Sequence, residues 1–73
     1  MDTELREELF VCALEARSRR LVAHVRAWDA DEALELFVAE LTADGVDEPG
    51  EVAVAPLHGA AACTARFRPP RRR

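Results

Sequence analysis

Residues 29–41, which read DADEALELFVAEL, contain the clearest structural signal in the chain. Asp29 is a residue type that caps helix N-termini, and Glu32 follows three positions later, in the spacing of a capping box. Apolar residues then recur at three- and four-residue spacing: Ala30, Ala33, Leu34, Phe37, Val38 and Leu41. This spacing predicts a helix roughly 20 Å long with one apolar side. Gly45 predicts its end.

Strands are predicted on both sides of this helix. Apolar alternation in ELFVCALEA, residues 8–16, and RLVAHVRAW, residues 20–28, predicts two strands joined by a short hairpin loop. A helix that begins near Asp2 is the alternative for the first of them. EVAVAP, residues 51–56, and ACTARFR, residues 62–68, predict a second hairpin. The predicted fold class is therefore α+β: a two-layer ββαββ domain with one helix packed on a small antiparallel sheet.

The size and composition of the chain fit one small folded domain. Of 73 residues, 49% are hydrophobic and 33% are charged, a balance typical of globular proteins. We expect residues 1–68 to form the domain and residues 69–73, PPRRR, to form a flexible basic tail. The chain has no apolar run near the roughly 20 residues of a membrane span, and MDTELREE does not read as an export signal. We therefore expect a cytoplasmic protein.

The net charge of −4 conceals a strong separation of charge along the chain. Residues 1–28 contain five acids and five arginines, residues 29–51 contain nine acids and no base, and residues 52–73 contain five arginines and no acid. An acidic surface without counter-ions steers cationic partners toward it. A merely solvated helix side is the alternative. The predicted partner-binding residues are Asp29, Asp31, Glu32, Glu35, Glu40, Asp44, Asp47 and Glu48.

A second candidate surface lies on the strands. Arg26 and Trp28 on the second strand, with Arg66 and Arg68 on the fourth, are predicted on the sheet side that the helix leaves uncovered. Arginines beside an aromatic ring are typical of single-stranded nucleic-acid binding. Two other uses of this side remain open: a homodimer through Val22 and Trp28, or ion pairs with acids of the same chain.

Cysteine and histidine residues give no catalytic or metal motif. Cys12 and Cys63 are predicted to lie in the core, His24 is isolated on a strand, and His58 lies in a predicted turn. This spacing matches no zinc site. PLHGAAAC, residues 56–63, contains one Gly and does not match a phosphate-binding loop. We therefore expect no cofactor, no metal and no enzymatic activity.

The chain lacks Lys, Asn, Gln, Ile and Tyr, a composition that suggests a GC-rich bacterial or phage genome. A small domain with a sheet, one acidic helix (DADEALELFVAEL) and no catalytic motif resembles the small phage-encoded proteins that include anti-CRISPR inhibitors. The resemblance implies an inhibitor that covers a basic, nucleic-acid-binding surface of a Cas protein in the host cytoplasm, with the carboxylates between Asp29 and Glu51 as contacts. The predicted function is thus non-catalytic protein binding. The alternative is a small nucleic-acid-binding protein.

Overall fold

The computed structural model describes residues 7–59 and 62–70. It contains strands β1 (Glu8–Ala16) and β2 (Arg20–Ala27), helix α1 (Ala30–Ala43), and strands β3 (Gly50–Pro56) and β4 (Cys63–Phe67). The predicted ββαββ order and the α+β class are confirmed, and the first predicted strand is a strand rather than a helix. Most of the predicted basic tail, residues 71–73, lies outside the described residues, as does Asp2.

The four strands form one antiparallel sheet in the order β2-β1-β3-β4. Strand β1 is therefore central, and β2 and β4 are the two edges. Eight residues of β1 pair one to one with β2, from Glu8 opposite Ala27 to Glu15 opposite Arg20. The turn between these strands closes with the Ala16 N–H donating to the Arg19 carbonyl at 2.9 Å.

The core is a single layer of side chains between the sheet and α1. Alternating residues of the strands point to the same side, so one side of each strand is buried and the other is not. The helix contributes its predicted apolar side. The buried core residues are Phe10, Cys12, Leu14, Ala27, Ala33, Phe37, Leu41, Val46, Val52, Val54 and Phe67.

Both ends of α1 are capped by the residues that the sequence indicates. The Asp29 carboxylate accepts the Glu32 N–H at 2.9 Å, and Glu32 Oε1 accepts the Trp28 N–H at 2.7 Å. Gly45, at φ 77°, ends the helix in the left-handed conformation. The Gly45 N–H donates to the Thr42 carbonyl, and the Val46 N–H donates to the Leu41 carbonyl. These two hydrogen bonds are the pattern of a Schellman cap.

After α1 and the loop that follows it, the chain re-enters the sheet at Gly50, the first residue of β3. Gly50 is paired with Ala16 of β1. A Cβ atom at position 50 would collide with the Glu15 carbonyl oxygen and lie 2.9 Å from Leu14 Cδ1. The backbone of β3 therefore enters the sheet at a place where no side chain fits.

Candidate protein-binding surface

The exposed side of α1, which borders a groove beside strand β2, has an apolar centre and acidic flanks. Successive helix residues rotate by about 100°, which places three exposed residues along the centre of this side: Leu36, Ala39 and Ala43. We call these the apolar stripe. Exposed carboxylates lie on its two sides, Asp31 and Glu35 on one and Glu40 and Asp44 on the other. We call these the acidic flanks.

The exposure of Leu36 sets the stripe apart from an ordinary polar helix surface. Its side chain is 43% exposed, and it is one of four large hydrophobic residues that are exposed in the described part of the chain. Ala39 and Ala43 continue the stripe at three- and seven-residue spacing. The sequence analysis did not identify these residues as functional. The sequence nevertheless contained a signal for them, since they are the apolar residues of α1 that lie outside its predicted core side.

No described cation neutralises the acidic flanks. Within residues 7–59 and 62–70, the one ion pair is Arg20 Nε to Glu15 Oε2, at 3.5 Å, and it lies on the sheet. Among the described residues, therefore, no arginine forms an ion pair with a carboxylate of α1.

Helix stability does not explain the carboxylates at the end of α1. Negative charge stabilises a helix N-terminus and destabilises a C-terminus, because the peptide dipoles align along the axis. Asp31 lies in the first turn, where its charge is favourable. Glu40 and Asp44 lie near the last turn, which contains no basic residue. Their charges oppose the helix dipole, so their presence suggests a use other than stability.

Three of the predicted partner-binding acids have structural contacts. Asp29 and Glu32 cap α1, and the Glu48 carboxylate binds Ser18 in the turn between β1 and β2. Glu51, the last acid of the run, points to the uncovered side of the sheet. Five of the predicted residues are exposed and free of such hydrogen bonds to described residues: Asp31, Glu35, Glu40, Asp44 and Asp47.

The structure does not gather the predicted nucleic-acid-binding residues into one patch. Arg26 lies on edge strand β2 and Arg66 on edge strand β4. These two strands are three strand spacings apart, or about 14 Å across the sheet. The two arginines also lie at opposite ends of the sheet, since Arg66 is level with Arg20. Trp28 follows β2 and is 53% exposed, and Arg68 follows β4.

Four charged residues form one row across the uncovered side of the sheet. Strand pairing places Arg20 beside Glu15, Glu15 beside Glu51, and Glu51 beside Arg66. The two carboxylates thus lie between the two guanidiniums. This row is electrically balanced, and Arg66, which was predicted to bind nucleic acid, has an acidic neighbour.

The cysteines and histidines do not form a reactive centre in the described residues. Cys12 is fully buried, and burial raises the pKa of its thiol, with the Glu40 carboxylate adding to the rise. Cys12 and Cys63 both lie opposite Val54, on either side of β3. They are thus about 10 Å apart, beyond disulfide reach. No group of three or more His, Cys, Asp or Glu residues is placed to hold a metal ion in this part of the chain.

Comparison of the chain with protein family models, with characterised proteins and with solved structures found no match. In residues 7–59 and 62–70, no helix has the length and apolarity to cross a membrane.

Proposed function

We propose that this protein is a non-catalytic binding module that uses the exposed side of α1 to hold a protein partner with both cationic and apolar side chains. The observation that carries the proposal is the apolar stripe, centred on the exposed Leu36, between two acidic flanks without a described counter-ion. An apolar centre with a polar rim is the usual organisation of a protein interface.

The two parts of this surface have different roles in binding. The acidic flanks attract a basic partner and orient its approach, an effect that salt weakens. The apolar stripe contributes by burial, at about 25 cal/mol per Å² of apolar area removed from water. Ala39 and Ala43 have short side chains, so a partner can approach the helix backbone closely. A surface that only imitated phosphates would need the carboxylates and not the stripe.

The resemblance to anti-CRISPR inhibitors gives a finer form of the proposal. In that form the partner is a Cas protein, and α1 covers a basic surface that otherwise binds nucleic acid. The protein would then act by occlusion, as one inhibitor per partner molecule, in the cytoplasm of the host cell.

A charge-matched pair of variants tests the surface. The variant E35Q/E40Q removes one carboxylate from each acidic flank, and E15Q/E51Q removes two from the uncovered side of the sheet. Both change the net charge equally. The probes are a fluorescent peptide rich in Arg and Leu and a purified Cas nuclease without its guide RNA. We expect E35Q/E40Q to weaken peptide binding about tenfold, whereas E15Q/E51Q should change it less than about twofold.

The variant L36S tests the apolar stripe separately. It should weaken binding of the same peptide several-fold and leave the salt dependence of the affinity unchanged, because no charge is altered. Equal losses for E35Q/E40Q and E15Q/E51Q would show that net charge alone attracts the peptide, and the proposed surface would be wrong. Binding of the Cas nuclease, if it is lost in E35Q/E40Q, would support the finer form.

A further inference from the structure

Among residues 7–59 and 62–70, no strand pairs with the outer edge of β2. Ala16 N–H donates to the Arg19 carbonyl, and backbone groups of successive residues in an antiparallel strand point in alternate directions. Leu21, Ala23 and Val25 therefore bond to β1. The N–H and C=O groups that point away from the sheet belong to Arg20, Val22, His24 and Arg26.

Helix α1 leaves this edge uncovered. An open groove of about 460 Å³ runs between the edge and the helix. His24, Val25 and Arg26 line it on the strand side, and Leu36 and Glu40 are among the residues that line it on the helix side. The backbone groups of the edge are thus within reach of another strand.

The two edges of the sheet differ in their protection. Folded proteins protect edges with short strands, prolines, bulges or charges, because an exposed edge pairs with other chains. Strand β4 has five residues and is followed closely by Pro69 and Pro70. Strand β2 has eight residues, contains no proline, and pairs with β1 without a bulge. Its edge carries Arg20 and Arg26 but lacks the other three protections, so it is the edge better suited to accept a strand.

Exposed hydrophobic side chains are concentrated at this edge. Val22, on β2, is 56% exposed, and Trp28, immediately after β2, is 53% exposed. Leu36 borders the groove on the helix side of the sheet, whereas Val22 points to the uncovered side. The β2 edge therefore has exposed apolar side chains on both sides of the sheet, which a contact with another molecule would bury.

We propose that β2 pairs antiparallel with β2 of a second copy of this chain, around a two-fold axis at His24, so that two sheets join into one of eight strands. In this register His24 lies opposite His24 of the second copy, and Val22 lies opposite the second copy's Arg26. Arg20 lies level with the second copy's Trp28. Such an interface is self-complementary, as a two-fold contact requires, and it forms about six backbone hydrogen bonds.

Charge disfavours one of the neighbouring registers. If the axis moved to Ala23, Arg20 would lie directly opposite Arg26 of the second copy, and like charges in that position are destabilising. With the axis at His24, no arginine faces an arginine. Each Arg20 instead comes level with an exposed Trp28, where a guanidinium can stack on the indole ring.

The size of the interface sets the strength of the dimer. One pair of strand edges with a few flanking side chains belongs to the class of small interfaces, below about 1,200 Å². Interfaces of this class support weak or transient association. We therefore expect a dissociation constant in the micromolar range, with dimers at the concentrations used for structural work.

Sedimentation velocity of the full chain, from about 5 to 500 µM, tests the dimer. We expect the variant H24R to raise the dissociation constant about fivefold, because it places two cations directly opposite each other. The matched control is T64R, which adds the same charge at an outward position of the other edge, β4. Arg at position 24 replaces an exposed side chain, so the fold is retained.

A second measurement reports the edge itself. Amide hydrogen exchange should be slower at Val22, His24 and Arg26 at high protein concentration than at low concentration, with no change at Thr64 and Arg66. The variant V22P removes one outward N–H and should lose the dimer, whereas T64P should keep it. A monomer at every concentration would overturn the proposal. The β2 edge would then be expected to pair with an extended segment of another protein.

The self-association adjoins the partner surface on α1, because Leu36 and Glu40 line the groove beside the β2 edge. The variant D31N/E35Q, on the flank of α1 that does not line the groove, should weaken binding of the Arg- and Leu-rich peptide and leave the dimer dissociation constant unchanged. A dimer that is sensitive to T64R or T64P and insensitive to H24R and V22P would place the contact on β4, and the proposed β2 pairing would then be wrong.

Discussion

The carboxylate of Glu48 holds Ser18, thirty positions earlier in the chain. Ser18 N–H donates to Glu48 Oε2 at 3.1 Å, and Ser18 Oγ lies 2.8 and 2.9 Å from the two carboxylate oxygens. This contact joins the loop after α1 to the turn between β1 and β2. Glu48 therefore stabilises the fold, although in the sequence it lies within the acidic run of residues 29–51.

Loss of either partner of this contact should destabilise the protein modestly. We expect Ser18→Ala and Glu48→Ala each to lower the free energy of unfolding by about 1 kcal/mol, since the hydrogen bonds are exposed. The double variant should lose less than the sum, because the second substitution removes nothing further. Urea denaturation measures all three. Additive losses would show that the contact contributes little.

Gly50 should tolerate substitution less well than Gly45. Gly50→Ala places a Cβ against the Glu15 carbonyl and Leu14, so we expect a loss of about 3 kcal/mol from overpacking. Gly45→Ala meets open space and suffers only from its positive φ, at about 1 kcal/mol. Thermal unfolding of the two variants compares them. Equal losses would contradict the packing argument at Gly50.

Asp29 should contribute to stability and not to partner binding. Its side chain accepts the Glu32 N–H at the start of α1, so Asp29→Ala should cost about 1 kcal/mol. Asp31→Ala is the control, because Asp31 lies in the same turn and caps nothing. Its loss in chemical denaturation should be smaller. If Asp29→Ala leaves stability unchanged and weakens binding of the Arg- and Leu-rich peptide, this division of roles is wrong.

Cys12 should make stability depend on pH in the alkaline range. Burial raises the pKa of its thiol above the ordinary value of 9.0, so the folded state holds a proton that the unfolded state releases. Its contribution is present below pH 9.0 and is lost as pH rises through the folded-state pKa. Denaturation of wild type between about pH 8 and 10.5 should therefore show a decline that Cys12→Ala reduces. Val54→Ala, which shortens a fully buried side chain without an ionisable group, is the control and should keep the wild-type slope.

The uncovered side of the sheet should bind single-stranded nucleic acid weakly. Glu15 and Glu51 lie between Arg20 and Arg66 and repel phosphates. The variant E15Q/E51Q should therefore bind a short RNA more tightly than wild type at low salt, with the difference disappearing as salt is raised. Tight RNA binding by wild type that R26A and R66A abolish would instead favour the nucleic-acid-binding alternative.

Local sequence patterns were sufficient to predict the elements of this fold. The alternation in residues 8–16 and 20–28 predicted β1 and β2, and Asp29 with Gly45 predicted the ends of α1, because these signals act between near neighbours. The strand order was not predictable in this way. It depends on pairing between β1 and β3, whose residues are far apart in sequence and have similar apolar patterns.

The same limit applied to the candidate surfaces. The sequence placed nine carboxylates in one run, and the fold distributes them: Glu48 goes to Ser18, Glu51 to the uncovered side of the sheet, and Glu40 and Glu35 to opposite flanks of α1. Long-range pairing also placed Glu15 and Glu51 between two arginines. Such neighbours are set by register across the sheet, which no short stretch of the chain contains.

The central place of β1 has a consequence for biosynthesis. Strand β1 is made early, but its second neighbour, β3, begins at Gly50. At about 5–20 residues per second, β1 waits several seconds with one side unpaired while the ribosome completes the helix and its exit loop. During translation the nascent chain therefore exposes a second unpaired strand edge, that of β1, which β3 covers in the finished protein.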